Sequence, residues 1–146
     1  MSGLITFRLG EREYATALAD VREVVRLEGL VDLPGMAPPL AGVLDLRGSA
    51  LPVLDLRPAA RPGACGDVLV LSPPAGTDPP GAAAVGVAVD QVRAVVAVED
   101  LPSASSPTDA GVLPSYVVEV LLGPAGVVFL VDLERMVRAH RTALTA

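Results

Sequence analysis

A chain of 146 residues, 51% apolar and 19% charged, is long enough for one folded domain and too apolar for a disordered tail. All eleven basic residues are arginine, which excludes a P-loop, a Schiff-base lysine and a lysine general base. The formal charge of −6 argues against nucleic acid as a partner, and a single cysteine (Cys65) with a single histidine (His140) argues against a disulfide, a metal or a bound cofactor.

The most apolar stretch, Val117 to Val131, is broken by Glu119 and Pro124, short of the ~18 uninterrupted apolar residues of a spanning helix. No basic region followed by a long apolar one opens the chain. The expectation is a soluble, cytoplasmic protein with no direct membrane insertion.

In chain order, Ile5–Leu9 and Tyr14–Leu18 flank a Gly10-Glu11-Arg12 turn and read as a hairpin. Asp20 with Glu23 three residues on resembles a capping box, and Val21, Val24 and Val25 then share a face, so a short helix is expected after that hairpin. Leu33–Pro39 reads as a loop. Val43–Arg47 and Leu51–Leu56 flank Gly48-Ser49 as a second hairpin. Val68–Leu71, Val85–Val89, Val92–Val98, Val117–Leu122 and Val127–Val131 are further strands, with loops at Ser72–Gly81 and Pro102–Ser115. Asp132 is placed to cap a terminal helix carrying Leu133, Met136, Val137 and His140 on one side. Many short strands with regular turn signals predict a mainly β protein built as small barrels or a sandwich.

Two internal echoes stand out. Val21-Arg22-Glu23-Val24-Val25 resembles Val92-Arg93-Ala94-Val95-Val96, 71 positions later, and Leu54-Asp55-Leu56 resembles Val131-Asp132-Leu133, 77 positions later. The same order at similar offsets suggests a duplicated unit, although a valine-rich chain also echoes itself by chance.

Catalysis finds little support. His140 has no recognisable partner, Cys65 has no neighbouring cation to make a thiolate, and no nucleophile-elbow, zinc-protease or dinucleotide motif occurs. In Gly42-Val43-Leu44-Asp45-Leu46-Arg47-Gly48, strand alternation puts Asp45 and Arg47 opposite Leu44 and Leu46, just before a tight turn. Arg47 there either pairs with Asp45 or reaches a partner with its planar fork.

The segment Leu40 to Arg57, Leu-Ala-Gly-Val-Leu-Asp-Leu-Arg-Gly-Ser-Ala-Leu-Pro-Val-Leu-Asp-Leu-Arg, resembles the central signature of the CheW-like family of chemotaxis coupling proteins, usually G-V-x-N-L-R-G-x-x-x-P-V-x-D-L-R. Thr6–Gly10 with Tyr14, the V-x-E-V-like Asp20–Val25, Leu33-Pro34-Gly35, Gly86–Val92 and Val128–Leu133 follow the family's order. Departures are Asp45 in place of asparagine, Glu119 in place of glycine, and the Pro- and Ser-rich Leu101–Ser115.

The resemblance implies a single domain over 1–146 with two small five-stranded SH3-like barrels. The first would span about 15–80 plus the terminal segments, and the second about 81–131. It implies a non-catalytic adaptor joining the cytoplasmic tip of a chemoreceptor to the regulatory domain of a CheA-type histidine kinase, in association with receptor arrays. Receptor contact would fall on Val21, Glu23, Val24, Arg47 and Val89, with Asp45 and Gly48 at a partner interface. Two other readings stand beside it: a divergent relative that binds receptor but not kinase, and a small enzyme using Asp45, Asp55 and His140.

Overall fold

The computed structural model describes residues 3–32, 34–35, 40–57, 66–71, 84–104 and 113–145, with backbone alone for 140–145. The loop readings at 36–39, 72–81 and 105–112, Cys65, and the side chain of His140 lie outside the described residues. Among the described residues ten strands precede one α-helix. They are β1 (Gly3–Leu9), β2 (Arg12–Ala17), β3 (Val21–Arg26), β4 (Leu40–Leu46), β5 (Ser49–Asp55), β6 (Asp67–Leu71) and β7 (Val85–Val89). Then come β8 (Gln91–Ala97), β9 (Val117–Gly123), β10 (Gly126–Val131) and the helix α1 (Leu133–Thr145). No described helix is long and apolar enough to cross a membrane.

The strands form two five-stranded sheets, as expected of paired SH3-like units. Sheet I runs β3-β6-β7-β5-β4 and sheet II runs β8-β1-β2-β10-β9. All neighbours are antiparallel except one pair in each sheet, β5 with β7 and β2 with β10. Sheet II therefore repeats the topology of sheet I, with β1–β2 standing where β6–β7 stand. The irregularities repeat as well. Arg22 on β3 and Arg93 on β8 are extra residues in their ladders, 71 apart, and Ala41 on β4 and Val118 on β9 are extra residues 77 apart. These are the offsets of the two sequence echoes, and bulges at such places bend a sheet toward closure. Among the described residues no ladder joins the outer strands, but one isolated bridge spans each seam, Val31 to Val43 in sheet I and Ser103 to Leu121 in sheet II.

Two expectations need correcting. The segment Val21–Arg26 is a strand, and the short helix after the first hairpin is a single 3-10 turn at Leu18–Asp20 with no side-chain cap. Its three valines are β-branched, and antiparallel pairing with β6 satisfies the backbone that a helix would have bonded internally. The division into about 15–80 and 81–131 also differs from the sheets: β7 belongs with β3–β6, and the terminal β1–β2 belongs with β8–β10. The chain crosses between sheets at Leu18–Asp20 and again at Asp90. There the Asp90 N–H donates to the Arg8 carbonyl (3.0 Å), and its carboxylate accepts the Gly10 N–H (2.6 Å).

Strict alternation feeds three cores. Val68 and Val70 of β6 point into sheet I with Leu44, Leu51, Val53 and Ala88. Leu4, Ala15, Leu121 and Val128 fill sheet II. On their other faces, Leu69 and Leu71 of β6, Val87 and Val89 of β7, and Ile5, Phe7 and Leu9 of β1 meet in a central core between the sheets. Helix α1 closes that core with Leu133, Met136 and Val137, and the Asp132 carboxylate accepts the Arg135 N–H at its start (3.1 Å).

The end of β5 holds a buried ion pair. Arg57 is 8% exposed, and its Nε and Nη2 donate to the two carboxylate oxygens of Asp55 at 2.9 and 2.8 Å. Removing Asp55 takes two charge-assisted hydrogen bonds from a guanidinium held largely out of water. Asp55→Ala is therefore expected to destabilise the fold by about 3–5 kcal/mol, read as a lowered midpoint in urea titration.

Candidate functional site

The segment carrying the Leu40–Arg57 signature builds one seam of sheet I. Leu46 pairs with Ser49, leaving Arg47-Gly48 as a two-residue hairpin turn with φ of 50° and 86°. Both values are positive, the type I′ pattern that matches strand twist; Gly48 adopts it freely, whereas a residue with a Cβ resists it. Two contacts hold Arg47 there. The Asp45 carboxylate accepts the Gly48 N–H at 2.8 Å, and the Arg47 guanidinium donates twice to Glu23, to Oε1 at 2.9 Å and to Oε2 at 2.6 Å. Arg47 thus pairs with Glu23 on β3 and not with Asp45, whose carboxylate is occupied by its own turn.

β3 and β4 are the two outer strands of sheet I, so the Glu23–Arg47 fork ties across the seam that their missing ladder leaves. The Val31–Val43 bridge ties the same seam through backbone bonds of 3.0 and 2.8 Å. Gly42 permits it, because a Cβ there would lie 2.6 Å from the Val31 carbonyl oxygen.

The expected contact residues divide sharply. Val24 is 40% exposed on β3 beside the fork, with Val31 exposed further along the seam. Val21 is half-buried against the central core, and Asp45 and Gly48 are exposed at the turn. Val89 is 0% exposed within the central core, so it presents no surface to a partner and leaves the set. Val31 was not singled out from sequence, since no pattern showed which valines the seam leaves uncovered. The Glu23–Arg47 pairing had a signal, an acid and an arginine in two separate matched segments.

Arg47 holds Glu23 below the usual carboxylate range, chiefly through its hydrogen bonds; partial desolvation works the other way, and the charges of Arg47 and Arg22 add to the lowering. The carboxylates of the enzymatic reading are committed elsewhere, Asp45 to its turn and Asp55 to Arg57. Among the described residues no three His, Cys, Asp or Glu side chains are grouped to hold a metal.

With this geometry in hand, the CheW-like domain family model matches residues 3–141. The chain belongs to the CheW-like domain family. It is 35% identical over 54 residues to the chemotaxis protein CheW of Bacillus subtilis, covering 37% of this chain and 35% of that one. It is 38% identical over 60 residues to a probable chemotaxis protein CheW of Rhizobium etli, covering 41% and 37% respectively. The matched stretches thus span about a third of those relatives. The fold is similar to that of the scaffolding protein TtCheW of Thermoanaerobacter tengcongensis, with a TM-score of 0.66 and 19% identity over 90% of this chain and 84% of that one.

Because Glu23 is lowered in the folded chain, stabilisation by the fork is present above the ordinary carboxylate range and fades as pH falls through the lowered value. Carboxyl NMR should show Glu23 titrating below the range of exposed glutamates, and Arg47→Ala should move that titration upward. An unmoved titration would mean that the fork does not persist in solution.

Proposed function

We propose that this CheW-like chain is a non-catalytic cytoplasmic adaptor that joins the cytoplasmic tip of a chemoreceptor to the regulatory domain of a CheA-type histidine kinase. The family and its chemotaxis relatives support the general role. One observation supports placing the receptor at the seam of sheet I: the fold does not require the Glu23–Arg47 fork. At the equivalent positions sheet II has Ala94 on β8 and Pro124 in the two-residue β9–β10 turn, both exposed and uncharged.

An exposed ion pair adds little to stability, so a fork kept on one seam alone suits recognition better than folding. Next to the paired Glu23 on the outer strand β3 Val24 is exposed, and Val31 is exposed where the backbone bridge crosses the same seam, so apolar surface lies close to the ion pair along the chain. Exposed valines on an outer strand suit the apolar stripe of a helical hairpin, while Arg47 can share its donors with a carbonyl or carboxylate. Asp45 and Gly48 lie at the same turn and belong to this interface; Val21 supports it from beneath.

Binding of the full chain to a receptor tip and to a kinase regulatory domain, measured separately, tests the reading. Arg47→Ala should weaken receptor binding about 5- to 150-fold with little change in melting temperature. A drop of several degrees with normal receptor binding would make Arg47 structural. Receptor binding without kinase binding would establish the reading in which the kinase is not recruited, and no receptor binding would overturn both.

A further inference from the structure

Sheet II has a specialised end of its own. A cleft of about 410 Å³ opens where the β1–β2 turn, the start of β8 and the β9–β10 hairpin meet. That volume is within the range of pockets that hold small ligands or a few side chains. Arg8, Arg12 and Arg93 line it together with Glu11 and Glu13, a local balance of +1 on a chain whose formal charge is −6.

The cations are not equivalent. The Arg8 guanidinium donates to the Gly10 carbonyl at 2.7 Å, and Arg93 approaches Glu13 at 3.6 Å. Arg12 is exposed and makes no hydrogen bond or ion pair among the described residues. Beside it the cleft is apolar. Glu13 pairs with Val128, so Arg12 lies alongside Val127, and Val127 faces Leu122 across the hairpin. Val127, which lines the cleft, is 48% exposed and its cross-strand partner Leu122 is 46% exposed, and Phe129 with the Tyr14 ring tilted against it extends the surface inward. The corresponding cross-strand pair of sheet I is Asp45 with Ala50, so the apolar pair is not a demand of the topology.

We propose that this end of sheet II is a second docking site, independent of the seam of sheet I, for an extended segment of a partner protein that carries one carboxylate beside an apolar side chain. The free Arg12 guanidinium takes the carboxylate, and Leu122 and Val127 receive the apolar group. The charge balance selects the occupant. A single carboxylate neutralises the excess of +1, whereas a polyphosphate would be pressed against Glu11 and Glu13.

Amide NMR of the isotope-labelled full chain tests this with three probes: acetyl-Leu-Leu-Asp-amide, acetyl-Leu-Leu-Asn-amide and inorganic phosphate. The aspartyl peptide should shift the Glu13, Arg93 and Val127 amides saturably, and the asparaginyl peptide should bind at least about tenfold more weakly. Phosphate should leave those amides unmoved, and added salt should weaken the aspartyl peptide. Arg12→Gln and Val127→Ser should each reduce binding, while Arg47→Ala should not. The proposal is overturned by the absence of saturable shifts, by equal binding of the two peptides, by phosphate acting as well as the aspartyl peptide, or by full binding to both cleft variants.

Discussion

A strand buried on both faces has no surface to offer a partner, and the architecture rests on three of them. β1, β6 and β7 each send alternate side chains into their own sheet and into the central core, so Val68, Leu69 and Val70 are all buried in succession. This is why β6 and β7 read as nearly continuous apolar runs, whereas β1 interleaves Thr6 and Arg8 with its central-core residues. It also dictates where recognition can occur. With β1, β6 and β7 sealed, the described surface on strands lies chiefly on the outer strands β3, β4, β8 and β9, the hairpin turns and the turn ends of β2 and β10, and Val89 is lost to the surface for the same reason.

The two sheets share a plan and differ in what their edges carry. Topology, bulges and seam bridges correspond, down to the paired arginines Arg22 and Arg93. Against that common background each departure becomes informative. Sheet I has a charged fork and a polar cross-strand pair where sheet II has Ala94, Pro124 and the apolar pair Leu122–Val127. Side chains that one copy of a framework does without are not holding the framework up; they are free to differ for the sake of a partner.

Much of this was readable in the sequence because turns and β-rich runs are local signals. The β4–β5 hairpin, the Asp132 cap and the inward Met136 and Val137 follow from residues within a few positions of one another. β3 was misread because Val21, Val24 and Val25 satisfy a helical spacing as well as a bulged strand, and the bulge at Arg22 breaks the alternation that would have distinguished them. The assignment of strands to sheets was hidden for a different reason: nothing local tells β2 that its neighbour will be β10. The partner of Arg47 was hidden likewise, since Asp45 is two residues away in sequence and Glu23 only becomes adjacent once the seam closes.

The placing of β1 and β2 in sheet II has a consequence for how the chain is made. Sheet I is contiguous, from Val21 to Val89, and can assemble as soon as that stretch has left the ribosome. Sheet II cannot. Its first hairpin is synthesised before everything else, yet β1 waits for β8, with Ile5 pairing Val95 90 positions on, and β2 waits for β10, with Glu13 pairing Val128 115 positions on. During synthesis Ile5, Phe7 and Leu9 are therefore presented before their own sheet exists, and the nearest complementary surface is the completed outer face of sheet I. The central core can thus act as a template during translation, holding the first hairpin against Leu69, Leu71 and Val87 until the last strands arrive to complete it.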